Sequence, residues 1–287
     1  MKYADLKAAE IQDTIKKYFN YIFLFLIFHI QIPSLAAQFL SQEIAQRAAI
    51  EELLKTAEIV RFKEIGTGVT RPYRLYLEAD GIELSGAWKN PDGMKYGFLE
   101  GWRFEIAAYE MDKLLGLNMI PPTIEREFQD KRGSLQFWIK SEMSDLERME
   151  KEIAIPIAYA TRWKFRKYVM RAFDSLIGNE DRTQENIRYA ENWRMILIDH
   201  SRSFRSSRKY TNRLMYGKNG VKEEQLFRKL PREFVERVKD LSFETIQNAV
   251  GDYLTKKEID AVLKRKLLLL KEIDEMIREQ GESEVLY

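Results

Sequence analysis

The stretch from Arg171 to Phe204 constrains the fold of this chain more than any other. An apolar helix end is followed by a polar loop that places Asp181 and Asn186 five residues apart. The apolar strand 195–198 comes next and delivers Asp199 at its end. The Asp/Asn pair alone is typical of a turn cap. With Asp199 added, the stretch favours a magnesium site, because Mg²⁺ prefers compact oxygen ligands that different elements supply.

The composition excludes several kinds of chemistry. The 287 residues contain no cysteine and only two histidines, His29 and His200. Disulfides and thiol catalysis are therefore excluded, and a zinc site or a Ser-His-Asp triad has little material to use. The net charge of +2 is too small to indicate a nucleic-acid partner. A length of 287 residues suits one large domain or a two-lobed one.

The amino-terminal segment carries an uncharged span from Tyr18 to Gln42, preceded by Lys16 and Lys17. A basic flank before a short apolar run predicts a secretory signal peptide or a membrane anchor over residues 1–37, with membrane association through residues 18–37. Export or anchoring is the favoured location. The alternative is a buried amphipathic helix in a cytoplasmic protein, and acidic residues before the span support it: Asp5, Glu10 and Asp13.

The next part of the chain reads as one helix followed by an antiparallel sheet. Apolar spacing predicts a helix over residues 38–57 and a second one from Trp102 to Leu115, which Gly116 ends. The segment 90–101 is rich in turn residues and is predicted to be a loop. Five strands are predicted: 58–65, 73–78, 82–89, 123–128 and 134–140.

Candidate phosphate-binding residues lie in this sheet. Gly66 and Gly68 form a glycine-rich turn between the first two strands, where backbone amides can approach phosphate oxygens closely. Lys89 lies on the third strand, and Glu105 lies in the first turns of the following helix. Glu100 is the reserve candidate for a carboxylate partner of the lysine.

Beyond residue 141 the pattern is mostly helical, and residues 281–287 are predicted to be a frayed tail. The segment after Asp199 contains five basic residues and no acidic one: Arg202, Arg205, Arg208, Lys209 and Arg213. Such a segment grips an acidic or phosphorylated substrate, or it is a solvated loop. The sequence leaves these two interpretations open.

Five motifs together resemble the atypical branch of the kinase fold, as in a bacterial-type member. That branch includes the phosphoinositide kinases, the HipA-type kinases and the secretory-pathway casein kinases. The motifs are LIGNEDRTQEN, ILIDHSRSF, IGTGVT, GAWKN and RFEIAAYE. The resemblance implies an α+β, two-lobed kinase-like fold with an extra amino-terminal helix. Its first lobe would be an antiparallel sheet plus one helix over 58–140, and its second a mostly helical lobe over 141–280.

The resemblance also implies the reaction, which is ATP- and Mg²⁺-dependent transfer of phosphate to a hydroxyl of a protein, a lipid or a small molecule. Asp181 matches the catalytic aspartate, while Asn186 and Asp199 match ligands of Mg²⁺ or Mn²⁺. The residues that match the nucleotide-binding positions are Gly66, Gly68, Lys89, Glu105, Lys140 and Glu142. Among these, the two glycines would cover the phosphates, Lys89 would grip them, Glu105 would hold the ammonium of Lys89, and Lys140 and Glu142 would lie in the hinge that receives adenine.

The sequence departs from the familiar pattern at Thr183, His200 and Ser201. These changes leave room for a pseudokinase that binds nucleotide as an interaction module, and the wider fold also transfers AMP or glutamate. A helical interaction protein without a nucleotide site is the third alternative.

Overall fold

The computed structural model describes residues 40–66, 72–95, 97–222 and 229–287. The predicted signal peptide or anchor over 1–37 and the predicted phosphate-loop residue Gly68 therefore lie outside the described residues. No helix within the described ranges is both long enough and apolar enough to cross a membrane.

A five-stranded antiparallel sheet forms the first half of the fold, in the order β1-β2-β3-β7-β6. Its strands are β1 (Glu58–Glu64), β2 (Tyr73–Ala79), β3 (Ile82–Lys89), β6 (Thr123–Phe128) and β7 (Lys131–Phe137). One face carries an apolar cluster built around Leu75, Leu77, Trp88 and Leu135, all nearly inaccessible to solvent. Two helices precede the sheet, α1 (Ser41–Ala45) and α2 (Arg47–Thr56), and Leu54 of α2 joins the same cluster.

Two tight hairpins set the register of this sheet. Asp80 and Gly81 connect β2 to β3, and both have positive φ angles, 51° and 76°. Gln129 and Asp130 connect β6 to β7 in the same way, with φ angles of 53° and 58°. Two-residue turns with positive φ match the right-handed twist of paired strands. The last strand of the sheet consequently runs over Lys131–Phe137, earlier than the predicted 134–140.

The predicted loop over 90–101 is wrong, because this segment forms a short hairpin. Strands β4 (Asp92–Lys95) and β5 (Phe98–Gly101) pair antiparallel, with Met94 opposite Leu99. The amide of Trp102 donates to the carbonyl of Pro91 at 2.7 Å and closes the hairpin at its base. β5 therefore runs directly into the next helix.

Helix α3 (Trp102–Leu114) packs on the core of the second half of the fold as well as beside the sheet. Gly116, with a φ of 66°, follows its end in the left-handed conformation that the sequence predicts for a helix stop. Asp112 of α3 is fully buried, and its Oδ1 accepts a hydrogen bond from the amide of Met119 at 2.9 Å. This contact ties the helix to the chain that enters β6.

The second half of the fold is a helical core beside a small sheet. Strands β8 (Met143–Ser144), β9 (Ile187–Ala190) and β10 (Arg194–Leu197) form a three-stranded sheet in the order β10-β9-β8. The helices of this half are α4 (Asp145–Glu150), α5 (Ile157–Ile177), α6 (Arg208–Thr211), α7 (Arg232–Asp240), α8 (Phe243–Val250), α9 (Lys256–Gln280) and α10 (Glu282–Val285).

The structure also differs from the frayed tail that the sequence indicates over 281–287. Val285 and Leu286 are buried, and the backbone of Leu230 exchanges hydrogen bonds with Val285 and Tyr287 at 2.8 and 3.0 Å. The ring of Tyr287 stacks on Phe165 of α5 at a centroid distance of 5.1 Å. Apolar residues at the very end of the chain are thus part of the core.

Asp112 makes a testable contribution to the pH dependence of stability. Burial raises the pKa of this carboxyl to about 7, although backbone amides oppose the shift. The folded protein therefore holds a proton on Asp112 between about pH 4 and pH 7 that the unfolded chain has lost, so stability falls as the pH rises through this window. Asp112→Asn should remove this fall, which amounts to about 1.4 kcal/mol for each unit of pKa shift.

The measurement is the free energy of unfolding by urea at pH 5, 6, 7 and 8. The difference between the Asp112→Asn variant and the parent should grow in favour of the variant with rising pH. Asp240→Asn, at an exposed helix end, is the matched control and should track the parent. Parallel profiles for all three proteins would show that Asp112 does not titrate in this range.

Candidate active site

The end of α5 is fixed by a left-handed glycine and a buried aspartate. Gly178 has a φ of 64°, and an added Cβ would lie 2.8 Å from the guanidinium carbon of Arg265. Asn179 donates from its backbone amide and its side chain to Asp174, at 2.9 Å in both cases. The Oδ1 of Asn179 then accepts from the amide of Asp181 at 3.1 Å. The polar loop therefore leaves the helix along one defined path.

Arg182 joins the loop to the strand that follows it. Its side chain pairs with both carboxylate oxygens of Asp174 at 3.0 Å, and both side chains are almost completely buried. The same guanidinium donates to the carbonyls of Asn186 at 3.0 Å and Ile198 at 2.8 Å. Ile198 immediately precedes Asp199. One arginine therefore holds the polar loop and the end of β10 at a fixed distance from each other.

Asp181 and Asn186 face each other across this loop. The side-chain amide of Asn186 donates to the backbone carbonyl of Asp181 at 3.0 Å. The amide of Ile198 donates to the carbonyl of Asn186 at 3.1 Å, which continues the pairing of β9 with β10. The loop and the end of β10 are thus hydrogen-bonded neighbours, and the three polar residues of the central stretch come together.

Asp199 leaves β10 with a φ of 60°, a conformation that aspartate tolerates better than most residues. Its Oδ1 lies 2.9 Å from Nζ of Lys89, the last residue of β3. Lys89 also contacts Oε1 of Glu105 at 3.0 Å. The ammonium is therefore held between a buried carboxylate on α3 and a half-buried one at the end of β10.

The opposite charges around Lys89 and Glu105 keep both side chains ionised despite burial. Burial opposes the charge on Lys89, but the carboxylates of Asp199 and Glu105 outweigh it and raise the pKa of the ammonium above its usual value. Burial likewise opposes ionisation of Glu105, and Lys89 and His200 overcome it, so that the pKa of Glu105 is lowered. Both side chains therefore stay charged at neutral pH.

His200 is buried between Arg182 and Glu105 and contacts both. It is fully buried, and its Nε2 lies 2.7 Å from the guanidinium of Arg182, which can only donate a hydrogen bond. Burial and the neighbouring Arg182 lower the pKa of the imidazole, so the ring is neutral at pH 7. Because Nε2 accepts the hydrogen bond from Arg182, the proton of the neutral ring lies on Nδ1. Its backbone amide donates to Oε2 of Glu105 at 2.8 Å and thereby fixes the second oxygen of that carboxylate.

Arg202 makes a second group of the same kind. Its Nε and one terminal nitrogen donate to Oε1 of Glu100 at 2.8 and 2.6 Å, and the other terminal nitrogen lies 3.3 Å from Oδ2 of Asp181. The guanidinium lies over the ring of Phe98, 4.5 Å from its centroid. Burial raises the pKa of Asp181, and the charge of Arg202 works against this increase.

The structure places the other sequence-predicted residues on connections between strands. Gly66 is exposed at the start of the β1–β2 connection, and the pairing of Tyr73 with Trp88 puts that connection at the Lys89 end of the sheet. Lys140 and Glu142 lie on the connection between β7 and β8 with exposed side chains. The amide of Glu142 donates to the carbonyl of Tyr189 at 2.7 Å.

Sequence reasoning missed Asp174, Arg182 and the pairing of Glu100 with Arg202. The Asp-Arg dipeptide at 181–182 was a signal for Arg182. A buried arginine needs a buried carboxylate partner, and in the structure that partner is Asp174. Glu100 was considered only as a reserve partner for Lys89. It lies 102 positions before Arg202 in the sequence, and no local pattern joins residues so far apart.

The donors present fit a divalent cation that phosphate groups help to hold. Four carboxylates and two cations meet here, namely Asp181, Asp199, Glu100 and Glu105 with Lys89 and Arg202, which leaves a formal excess of two negative charges. Within the described ranges, no group of three acidic, histidine or cysteine side chains is arranged to hold a metal ion alone. For a bound divalent cation, Asn186 and Asp199 would offer one oxygen ligand each, and the other positions would fall to phosphate oxygens and water.

Comparison with solved structures identifies the fold. A structure of Fam20 from hydra with a sugar matches with a TM-score of 0.60 at 15% identity, over 88% of this chain and 95% of that one. The proinflammatory kinase CtkA from Helicobacter pylori matches with a TM-score of 0.51 at 12% identity, over 80% and 97% of the two chains. No family model and no curated protein matches the sequence. The predicted α+β, two-lobed kinase-like fold is confirmed by these similarities.

Proposed function

We propose that this protein is an ATP- and Mg²⁺-dependent phosphotransferase with a hydroxyl acceptor, whose kinase-like domain spans about residues 58–280. The observation that carries the proposal is the placement of Lys89 between Glu105 and Asp199, at 3.0 and 2.9 Å. These three residues come from β3, α3 and the end of β10, and the sequence motifs assign each of them a role in holding nucleotide phosphates. Their convergence on one point supports that assignment.

Each residue of the site has a distinct task in the proposed reaction. Asp181 accepts the proton of the acceptor hydroxyl, and it is 35% exposed, so a substrate can reach it. Lys89 contacts the phosphates of the nucleotide as a fixed positive charge. Glu105 holds the ammonium in place, and Asn186 and Asp199 hold the metal. A bound Mg²⁺ would neutralise charge on the phosphate oxygens.

The proposal defines the acceptor by its chemical class, a molecule with a free hydroxyl group. The similar hydra protein was solved with a sugar, and the similar Helicobacter pylori protein is a kinase. Three cations on the segment that follows Arg202 in the sequence, Arg208, Lys209 and Arg213, are exposed and favour an acceptor that carries negative charge. A pseudokinase that binds nucleotide without turnover is the competing function, which Thr183, His200 and Ser201 support.

Substitutions at the two aspartates should have different effects. Asp199→Ala should weaken binding of Mg-ATP and lower turnover, because a metal ligand is lost. Asp181→Asn should leave nucleotide binding nearly unchanged and reduce turnover by about 10²–10⁴-fold, the usual range for general-base assistance. Asn186→Ala should resemble the Asp199 change in a milder form. Titration calorimetry with Mg-ATP, beside a radiolabel-transfer assay, measures both quantities.

Asp130→Asn is the matched control for these variants. Asp130 lies in the exposed β6–β7 turn, where asparagine also tolerates the positive φ angle. If all variants behave as the parent in both assays, the assignment of this loop is wrong. If binding follows the pattern and the parent transfers no phosphate, the pseudokinase function is correct instead.

The Lys89–Glu105 pair generates a separate prediction. Lys89→Ala should weaken ATP binding by about 1.5–3 kcal/mol, the range for a hydrogen bond to a charged group. Glu105→Gln should keep the fold but lower turnover, because the ammonium loses its anchor. Lys131→Ala, exposed at the start of β7, is the control. Equal ATP affinity in the Lys89 and Lys131 variants would remove Lys89 from the nucleotide site, provided that thermal unfolding shows both to be folded.

Export or membrane anchoring is proposed from the uncharged span 18–42 alone. Cleavage near Ala36 or Ala37, or retention in the membrane fraction, is the expected result. Mass spectrometry of protein purified from its native host measures the first residue. A freely soluble cytoplasmic protein that retains Met1 would contradict the proposal.

A further inference from the structure

The site contains two charge groups with the same construction. In each group a nearly inaccessible glutamate anchors a cation, and that cation faces an aspartate that is 35% exposed. Glu105, Lys89 and Asp199 form the first group, and Glu100, Arg202 and Asp181 form the second. The proposed function uses the cation of the first group and leaves the cation of the second without a task.

The contacts of Arg202 hold its guanidinium in one orientation. Two of its nitrogens converge on the same oxygen of Glu100, at 2.8 and 2.6 Å, while its plane lies over Phe98. The third nitrogen is directed at Asp181 across a longer distance of 3.3 Å. The edge of the guanidinium next to the proposed base is therefore held by the weaker contact, while the opposite edge is firmly anchored.

This orientation suits an anion with several oxygens. A guanidinium binds phosphate through planar, directed hydrogen bonds, and its charge persists at any pH the protein meets. The group next to Asp181 during the proposed reaction is the acceptor hydroxyl and the phosphoryl group that it attacks. A cation fixed in that place stabilises the negative charge on the transferring oxygens without rearranging.

We infer that Arg202 binds the terminal phosphate of the nucleotide and stabilises it during transfer, with Glu100 as its positioning residue. The inference rests on the proposed function and adds a catalytic residue to it. In the step, the acceptor oxygen forms a bond to the terminal phosphorus as the bond from that phosphorus to the bridging oxygen breaks. ADP leaves with that electron pair, and Asp181 takes the hydroxyl proton. Arg202 donates hydrogen bonds to the transferring oxygens and keeps all its protons.

The test is the preference of the protein for Mg-ATP over Mg-ADP, measured by titration calorimetry without an acceptor. ADP lacks the terminal phosphate, so a contact to that phosphate strengthens ATP binding alone. Arg202→Gln should lower ATP affinity by about tenfold, as expected for one charge-assisted contact, and change ADP affinity by less than about twofold. The transfer assay should show a further loss of about 10²-fold or more, as for other electrostatic stabilisers of a transition state.

A second variant guards against loss of folding. Arg202→Gln leaves Glu100 buried with no cation, so the double change Glu100→Gln with Arg202→Gln supplies two neutral amides in the same space. The double variant should show the same loss of ATP preference. Glu100→Gln alone should lower that preference partly, because Arg202 stays charged but is held less firmly. Arg278→Gln is the matched control, since Arg278 is exposed in the last turn of α9, has no role in the proposed site and should retain the preference of the parent.

Each outcome decides a different question. If the double variant is folded and keeps the ATP preference of the parent, Arg202 does not contact the terminal phosphate and the inference is overturned. In that case the proposed function stands, provided that Lys89→Ala and Asp199→Ala still weaken binding. If the parent binds neither nucleotide, the proposed function fails and takes this inference with it.

Discussion

The buried ion pair between Asp174 and Arg182 is the interaction on which the arrangement of the site depends. Both side chains are almost inaccessible to solvent. Arg182 also donates to the backbone carbonyl of Asn186, just before β9, and to that of Ile198, just after β10. Removing one member of such a pair typically costs about 3–5 kcal/mol, because the other charge remains buried without compensation. The loop that carries Asp181 and Asn186 is short and polar, so it has no apolar packing of its own to replace that support. The positions of the proposed site residues thus depend on a buried ion pair outside the group of side chains that they form.

The sequence predicted the parts of the fold that local chemistry encodes. The stop of α3 at Gly116 was predicted from a residue that tolerates a positive φ angle, and the Asp80-Gly81 turn and the end of α5 at Gly178 have the same local origin. The pairing of Lys89 with Glu105 was predicted from the order of the motifs, whereas the contact of Lys89 with Asp199 was not predicted. The β4–β5 hairpin was not predicted, because its strands are only four residues long and rich in turn formers. No alternation of apolar and polar residues therefore stands out in this segment. The docked carboxyl end escaped prediction because its burial depends on partners, Leu230 and Phe165, that lie far away in sequence.

Side-chain pairs between distant elements were the hardest features to predict. Glu100 and Glu105 are both reasonable partners for a lysine on β3, and the sequence cannot tell which one faces it. The structure separates them by the path of the chain: β5 directs Glu100 toward the segment after Asp199, and the first turns of α3 direct Glu105 toward β3. A basic segment that looks uniform in sequence is likewise divided. Arg202 and Arg205 are largely buried and paired with Glu100 and Glu180, while the cations that follow are exposed.

The β4–β5 hairpin runs without interruption into α3, and this continuity has a mechanical consequence. Glu100 and Glu105 lie on one continuous piece of chain, which the amide of Gly101 also attaches to the carbonyl of Ser201 at 3.0 Å. A displacement of α3 would therefore move both glutamates as a single lever. Lys89 and Arg202 would lose or regain their anchors together, so the two halves of the site cannot be assembled independently. The two charge groups are therefore coupled through the continuity of β5 and α3.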